Sequence, residues 1–441
     1  MIEGTKKGTT MKAILFSIAF TLVTTAAIAQ PTPGAAQSES IIIIGGTAHI
    51  GNGDKIEGAA IGLKNGKITF VGSEKGIDEA EWDQVIDGSG KHIYPGFIAS
   101  NSTLGLQEIG AVRATRDQSE VGKFKPNVRA LIAFNTDSEI TPTVRTNGVL
   151  MGQITPRSGT ISGQSSVMHF DGWNWEDAVV RMDDGVHLNW PGVYHKHREK
   201  GKVNIQQVKT YDQERREIES FFSSAQSYNQ VKHQEKKDLK FEAMRGLFDG
   251  TKTLYAHAND AKQLIEVVNL KKKFNLNKVV VVGGYESWMV ADMLRDNNVA
   301  VMIRRIHSVP WYAEEDLDLS FKLPKLLQDE GVKFCLENSG DMEQMGTRNL
   351  PFYAGTAVAY GLTYEQGVQS LTLSAAEILG IDDTCGSLEK GKDATLFISN
   401  GDALDMMTND VTYAWIQGRV LDLDNRQKQL YRKYKAKYDG E

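Results

Sequence analysis

Side chains able to do chemistry are few and widely spaced. His257 closes the apolar run Thr253–His257, where a lone imidazole is either a metal ligand or a structural pocket residue. Arg157 precedes a Gly/Ser-rich stretch running from Gly159 through Ser162 and Gln164 to Ser166. Backbone donors there can cradle an anion or simply make a tight turn, and Arg157 can meet a carboxylate or lie on the surface. His187 and Trp190-Pro191 can wall a pocket or pack a rim. Glu286 can ligate, but its default role is to start the following helix, where the dipole favours a negative charge. Cys335 and Cys385 can pair or remain buried thiols, and two cysteines are too few for a zinc–thiolate centre.

The elements that must position these groups fall into two textures. Ile41–Ile44, Ala59–Leu63 and Lys67–Val71, with a turn at Asn65-Gly66, read as short antiparallel strands. Ala394–Ile398, Val411–Ile416 and Gly418–Leu421 repeat that texture near the other end. Between them, strands alternate with helices. Thr253–His257 precedes a helix from about Asp260 to Phe274, and Lys278–Val282 precedes one over Ser287–Asp296. Val299–Ile303 and Val332–Leu336 are further strands, and a helix spans Tyr364–Leu379. This rhythm predicts an α/β barrel or a doubly wound sheet. About 196–248 breaks it with a charged, helical insertion, either a solvated pair of helices or a partner-binding arm.

With 441 residues, 41% hydrophobic and 24% charged, the chain can bury a large core, which excludes a disordered or disulfide-stapled character. A net charge of −6 gives no footprint of a nucleic-acid binder. Residues 1–29 stand apart. Lys6, Lys7 and Lys12 precede an uncharged run ending in Ala27-Ile28-Ala29, the order of a secretory signal peptide. The expectation is export to the periplasm or beyond, with no retained membrane anchor.

Three stretches carry a resemblance. They are Tyr94-Pro95-Gly96-Phe97-Ile98, the run Leu371–Ile381, and Gly386-Ser387-Leu388-Glu389-Lys390-Gly391-Lys392-Asp393-Ala394. Together they resemble the amidohydrolase superfamily, most closely its imidazolonepropionase-like branch. The resemblance implies a distorted TIM (β/α)8 barrel over 95–385. It also implies a small β-sandwich built from both chain ends, over 41–94 and 386–425, followed by a tail at 426–441.

The implied chemistry is metal-assisted hydrolysis of a C–N bond, and most of its ligands are missing. Where the family places an acidic residue and two histidines after Pro-Gly-Phe-Ile, the chain has Ala99-Ser100-Asn101-Ser102-Thr103. Asn101 and Thr103 offer only weak oxygen donors in place of imidazole. His257 matches the strand-five histidine. Glycine stands where the next histidine belongs, near Gly283, with Glu286 as a candidate substitute. The final aspartate, the family's general base, is replaced by Ser339 or supplied by Asp341 through a loop shift.

A reduced site of His257, Asp341 and Glu286, with His307 nearby, could hold at most one zinc-like divalent ion. Arg157, Ser162 and Gln164 would then line the pocket beside Asn101, Thr103 and Ser339. The expected function is an exported amidohydrolase-like protein with impaired catalysis. It would act as a scaffold, subunit or small-molecule binder, as a homo-oligomer or beside an intact relative. The alternative is a divergent hydrolase of a small cyclic amide or peptide-like compound.

Overall fold

The computed structural model describes residues 33–199, 202–231 and 235–440. The expected leader at 1–29 lies outside the described residues, as do parts of the insertion at 196–248. In chain order the strands are β1 Ile41–His49, β2 Lys55–Lys64, β3 Lys67–Ser73, β4 Gln84–Asp87, β5 His92–Pro95, β6 Phe97–Ser102, β7 Val149–Ile154, β8 Ile161–His169 and β9 Val179–Asn189. There follow β10 Tyr194–Glu199, β11 Lys202–Gln207, β12 Thr253–Ala258, β13 Val279–Gly283, β14 Val299–Ile303, β15 Phe334–Leu336, β16 Leu396–Ser399, β17 Val411–Ile416 and β18 Arg419–Val420.

The two chain ends build one mixed sheet, ordered β18-β17-β16-β5-β1-β2-β3, with β4 pairing β1. Its apolar face gathers Ile41, Ile43, Ile61, Ile68, Leu396, Ile398 and Trp415. The Gly386–Ala394 motif ties the ends together. Leu388 N–H donates to Ile50 O at 2.9 Å, Ile68 N–H to Lys392 O at 2.9 Å and Ala394 N–H to Gly66 O at 2.9 Å. Gly96 sits where sheet meets barrel, and a Cβ there would stand 3.1 Å from both Leu150 and Thr395 side chains.

The second sheet is the barrel, ordered β15-β14-β13-β12-β9-β8-β7-β6 and closed by a bridge between Ser100 and Glu337. Its interior is lined by Ile98, Met151, Val167, Tyr255, Val280, Met302 and Cys335. The even strand–helix alternation holds only in the second half. There Asp260 and Gln263 form a capping box that starts the Ala261–Phe274 helix, and Asn275 ends it in the left-handed region. In the first half, β8 runs antiparallel to both β7 and β9. Antiparallel neighbours need no crossover helix, so the β7–β8 connection is a loop and the β8–β9 connection carries only the one-turn helix Trp175–Ala178.

Three expectations are corrected locally. The Gly/Ser-rich stretch is a turn only at its start, since Ile161–Ser166 belongs to β8. The insertion begins as a β-ribbon, β10 with β11, before its helices Tyr211–Gln230 and Leu239–Asp249. The Tyr364–Leu379 helix breaks at Thr372 (φ −125°, ψ −99°) into two pieces. Among the described residues no helix is long and apolar enough to cross a membrane.

Candidate site at the barrel mouth

At the end of β6, Asn101 is held in the left-handed region (φ 50°), and its N–H donates to Gln153 Oε1 at 3.2 Å. Asparagine tolerates this conformation better than most residues. Arg157 reaches across to it, donating to Asn101 Oδ1 at 2.7 Å and to Asn101 O at 2.8 Å. The same guanidinium pairs with Glu343 Oε1 at 3.0 Å, and Thr103 Oγ1 donates to that oxygen at 2.5 Å. Gln344 completes the knot by donating to Thr103 at 2.6 Å. Asn101, Thr103 and Arg157 are thus brought together, around a carboxylate that sequence reasoning missed.

The end of β15 carries a second missed carboxylate. Glu337 is buried and accepts the Ser339 N–H, together with the Ser339 hydroxyl at 2.7 Å. Burial raises its pKa to about 7, against the lowering effect of the Ser339 hydrogen bonds. Ser339 is therefore turned back onto its own strand end. Asp341 is exposed two residues on, and no hydrogen bond or ion pair joins its carboxylate to a described residue, although its backbone oxygen accepts from Arg305 at 2.9 Å.

His257 ends a chain of hydrogen bonds inside the barrel. Its Nε2 lies 2.9 Å from His187 Nδ1, and His187 Nε2 lies 2.9 Å from Ser165 Oγ. Ser165 Oγ is in turn 2.6 Å from Asp184 Oδ1. Asp184 Oδ2 accepts from Tyr255 OH at 2.7 Å and from Gln153 Nε2 at 2.8 Å. Register explains the convergence. Tyr255 pairs with His187 across β12 and β9, so their rings stack with centroids 4.8 Å apart. β9 carries two extra residues between the pairs Ser165–Gly185 and Val167–Arg181, with Asp183 at φ 49°, and this bulge turns Asp184 to the side that His187 occupies.

Burial raises the Asp184 pKa and depresses both histidines, His257 to about 3 with a further push from Arg157. Both imidazoles are therefore neutral near pH 7. The chain has two self-consistent proton orders. With Asp184 ionised, Ser165 donates to it, each histidine carries its proton on Nε2, and His257 Nδ1 is a bare acceptor. With Asp184 protonated, every donor reverses and His257 carries its proton on Nδ1. A proton taken up at His257 can thus end on Asp184 without leaving charge on either imidazole.

The remaining candidates are spent elsewhere. Ser162 accepts from Asn189 at 2.9 Å and Gln164 accepts from Lys252, both on the face of β8 opposite Ser165. His307 bonds Thr356 Oγ1 at 2.7 Å and lines a separate cavity of about 300 Å³ with Tyr364, Asp402 and Leu404. Glu286 starts no helix with its side chain. Its carboxylate accepts the Ala261 N–H at 2.7 Å, at the N-terminus of the preceding helix. Cys335 and Cys385 are both free and buried.

A divalent ion does not fit these residues. His257 Nε2 is committed to His187, Glu286 to a helix terminus, and the Asp341 carboxylate stands exposed without a described partner. At Gly283 (φ 107°) a Cβ would stand 2.5 Å from Asn259 Oδ1, so no side chain can replace the missing ligand there without displacement. The Arg157 cation occupies the oxygen donor that Asn101 could have offered. Among the described residues no group of three or more His, Cys, Asp or Glu side chains could hold a metal ion. The expected reduced set of His257, Asp341 and Glu286 is not assembled, because His257 and Glu286 are each bonded to a neighbouring element and Asp341 faces solvent.

Residues 232–421 match the amidohydrolase family. Among solved structures, an amidohydrolase from Thermotoga maritima is 23% identical with a TM-score of 0.74, covering 87% of this chain and 99% of that one. Phenylurea hydrolase B is 13% identical with a TM-score of 0.54 over 87% and 97% of the two chains. Molinate hydrolase is 13% identical with a TM-score of 0.53 over 88% and 95%. No curated protein matches the chain. The chain therefore shares the fold of these hydrolases, a barrel closed beside a sheet from both chain ends, and its residues 232–421 are similar to the amidohydrolase family.

Proposed function

We propose that this is an exported member of the imidazolonepropionase-like branch that has given up metal-assisted hydrolysis and works as a binding protein, scaffold or subunit. Its leader at 1–29 is removed, and a barrel at 95–385 stands beside a terminal-strand domain at 41–94 and 386–425. One observation carries the reading. The Arg157 guanidinium spans Asn101 and Glu343 at the mouth, where the relatives' chemistry calls for a cation that can be exchanged and can bind water. A guanidinium has no open coordination position and cannot lower the pKa of a bound water.

Elemental mass spectrometry on protein purified without a metal-affinity tag tests this directly. Well under one metal per chain after zinc replenishment is the expected result. Close to one metal per chain, lost in His257→Ala, would overturn it.

A second reading rests on the hydrogen-bond chain beneath His257. A divergent hydrolase of a non-peptide C–N bond in a small cyclic amide could use His257 Nδ1 to accept the proton of an attacking water, with Asp184 as the final acceptor. Metal-independent hydrolysis that survives chelation and disappears in both His257→Ala and Asp184→Asn would establish it over the first reading.

A further inference from the structure

The helix Arg426–Asp439 has no buried residue along fourteen positions. A lone helix of this length is marginal in water unless something covers one face. Its residues are sorted by side. Tyr431, Tyr434 and Tyr438 follow the i, i+3, i+7 spacing of a single stripe, and they are 66%, 50% and 78% exposed. Lys428, Arg432 and Lys435 border that stripe on one side, and Lys437 borders it on the other. Lys433 and Lys437 lie over the rings of Tyr434 and Tyr438 at 5.7 and 5.3 Å.

Charge decides what fits this face. The helix carries six basic residues against Asp439 alone, so the chain's −6 becomes −11 for everything else. A strongly basic face on an acidic body turns toward an anionic surface while the body is repelled from it. The apolar members of the stripe are tyrosines. Their rings with polar tips suit the headgroup level of a bilayer, whereas leucine or phenylalanine would suit a deeper, dry groove. Among the described residues the helix is tied back through its first half, where Thr143 Oγ1 donates to Gln427 at 2.8 Å, Asn425 caps Lys428 N–H at 2.9 Å and Arg432 pairs with Asp424 at 2.7 Å, so its C-terminal lysines and tyrosines stand clear.

We propose that the Arg426–Asp439 helix is a peripheral docking element for an anionic phospholipid surface, lysines on the phosphates and tyrosines among the headgroups. Its occupant is the lipid and not a second copy of this acidic chain. The inference stands apart from the barrel reading.

Sedimentation of the full chain with vesicles of phosphatidylglycerol and phosphatidylcholine, against phosphatidylcholine alone, tests it at low and high salt. Binding is expected only to the anionic vesicles, weakening as salt rises. Lys433→Gln, Lys435→Gln and Lys437→Gln together should lower partitioning by about tenfold or more. Tyr431→Ser, Tyr434→Ser and Tyr438→Ser together should also lower it, with thermal unfolding unchanged because the helix lies outside the core. Equal binding to both vesicle types would overturn the proposal, as would no binding at low salt. Sedimentation equilibrium on the same variants closes the remaining route. A dimer abolished by the lysine changes, without lipid binding, would assign the helix to a second copy instead.

Discussion

Arg157 donates a 2.7 Å hydrogen bond to Oδ1 of Asn101, so a permanent cation rests on a residue near the end of β6 where the resemblance to amidohydrolases leads one to expect imidazole. The charge is answered by Glu343, which also holds Thr103. Coupling across this knot is measurable. Arg157→Ala leaves a mostly buried carboxylate with weaker partners and should cost about 2 kcal/mol, between the values for exposed and buried pairs. Glu343→Gln should cost less, because an amide still accepts from Thr103. Urea denaturation of the double variant should then fall short of the summed losses by about 1 kcal/mol. Strict additivity would show that the two side chains do not depend on each other.

Glu337 makes stability fall with rising pH over a defined window. Its folded pKa is raised from 4.5 to about 7, so on titration upward the unfolded chain loses this proton first. Between those values the folded state binds more protons than the unfolded one, and stability drops by about 3 kcal/mol across the window. Glu337→Gln keeps an acceptor for the Ser339 N–H and removes the titration. The variant should match the parent near pH 5 and exceed it at pH 8 in thermal unfolding. A variant less stable than the parent at pH 8 would mean that the ionised carboxylate is stabilising where it stands.

How much of this was legible in the sequence depended on whether a signal was local. The terminal strands announced themselves through β-branched runs and the Asn65-Gly66 turn, and β12 to β15 through apolar runs of strand length. β8 hid because Ser162, Ser165 and Ser166 read as a loop, although each hydroxyl meets a partner on another strand or, for Ser166, on the β9 bulge. Asp184 was invisible for a related reason. Only the bulge at Asp183 turns it inward, and single-strand alternation cannot reveal a bulge. Glu343 and Glu337 lie two residues from Asp341 and Ser339 respectively, but burial by non-local packing, not sequence position, separates the engaged carboxylates from the exposed one.

Gly283 leaves little room for a metal-ligating side chain at the end of β13. Its φ of 107° is unfavourable for any L side chain, and the Cβ position is only 2.5 Å from Asn259 Oδ1. Gly283→Ala should therefore destabilise by about 3 kcal/mol, from backbone strain together with the clash. Adding Asn259→Gly removes the obstructing side chain and should recover part of that loss but not the strain. Gly283→His, alone or with Asn259→Gly, should not raise zinc content, because Arg157 and the tie between His187 and His257 remain. One zinc per chain in the double variant would show that steric exclusion at Gly283 alone keeps the ion out.

The hydrogen-bond chain beneath His257 makes a prediction that crosses three bonds without direct contact. Asp184→Asn can keep every partner. The amide oxygen takes the place of Oδ2 and accepts from Tyr255 and Gln153, while the amide nitrogen takes the place of Oδ1 and donates to Ser165. Ser165 must then donate to His187 Nε2, His187 Nδ1–H must donate to His257 Nε2, and the His257 proton moves to Nδ1. Imidazole nitrogen-15 chemical shifts report this directly. In the parent with Asp184 ionised, His257 should be neutral with its proton on Nε2, and it should stay neutral well below pH 6.5 because its folded pKa is held at about 3. The same depression means that stability is lost as pH falls from 6.5 toward 3, since the unfolded histidine takes up a proton that the folded one refuses. In Asp184→Asn the His257 signals should exchange roles, with Nδ1 protonated and Nε2 bare. Unchanged tautomers in the variant would break the chain at Ser165 and leave His257 an isolated imidazole with no path to Asp184.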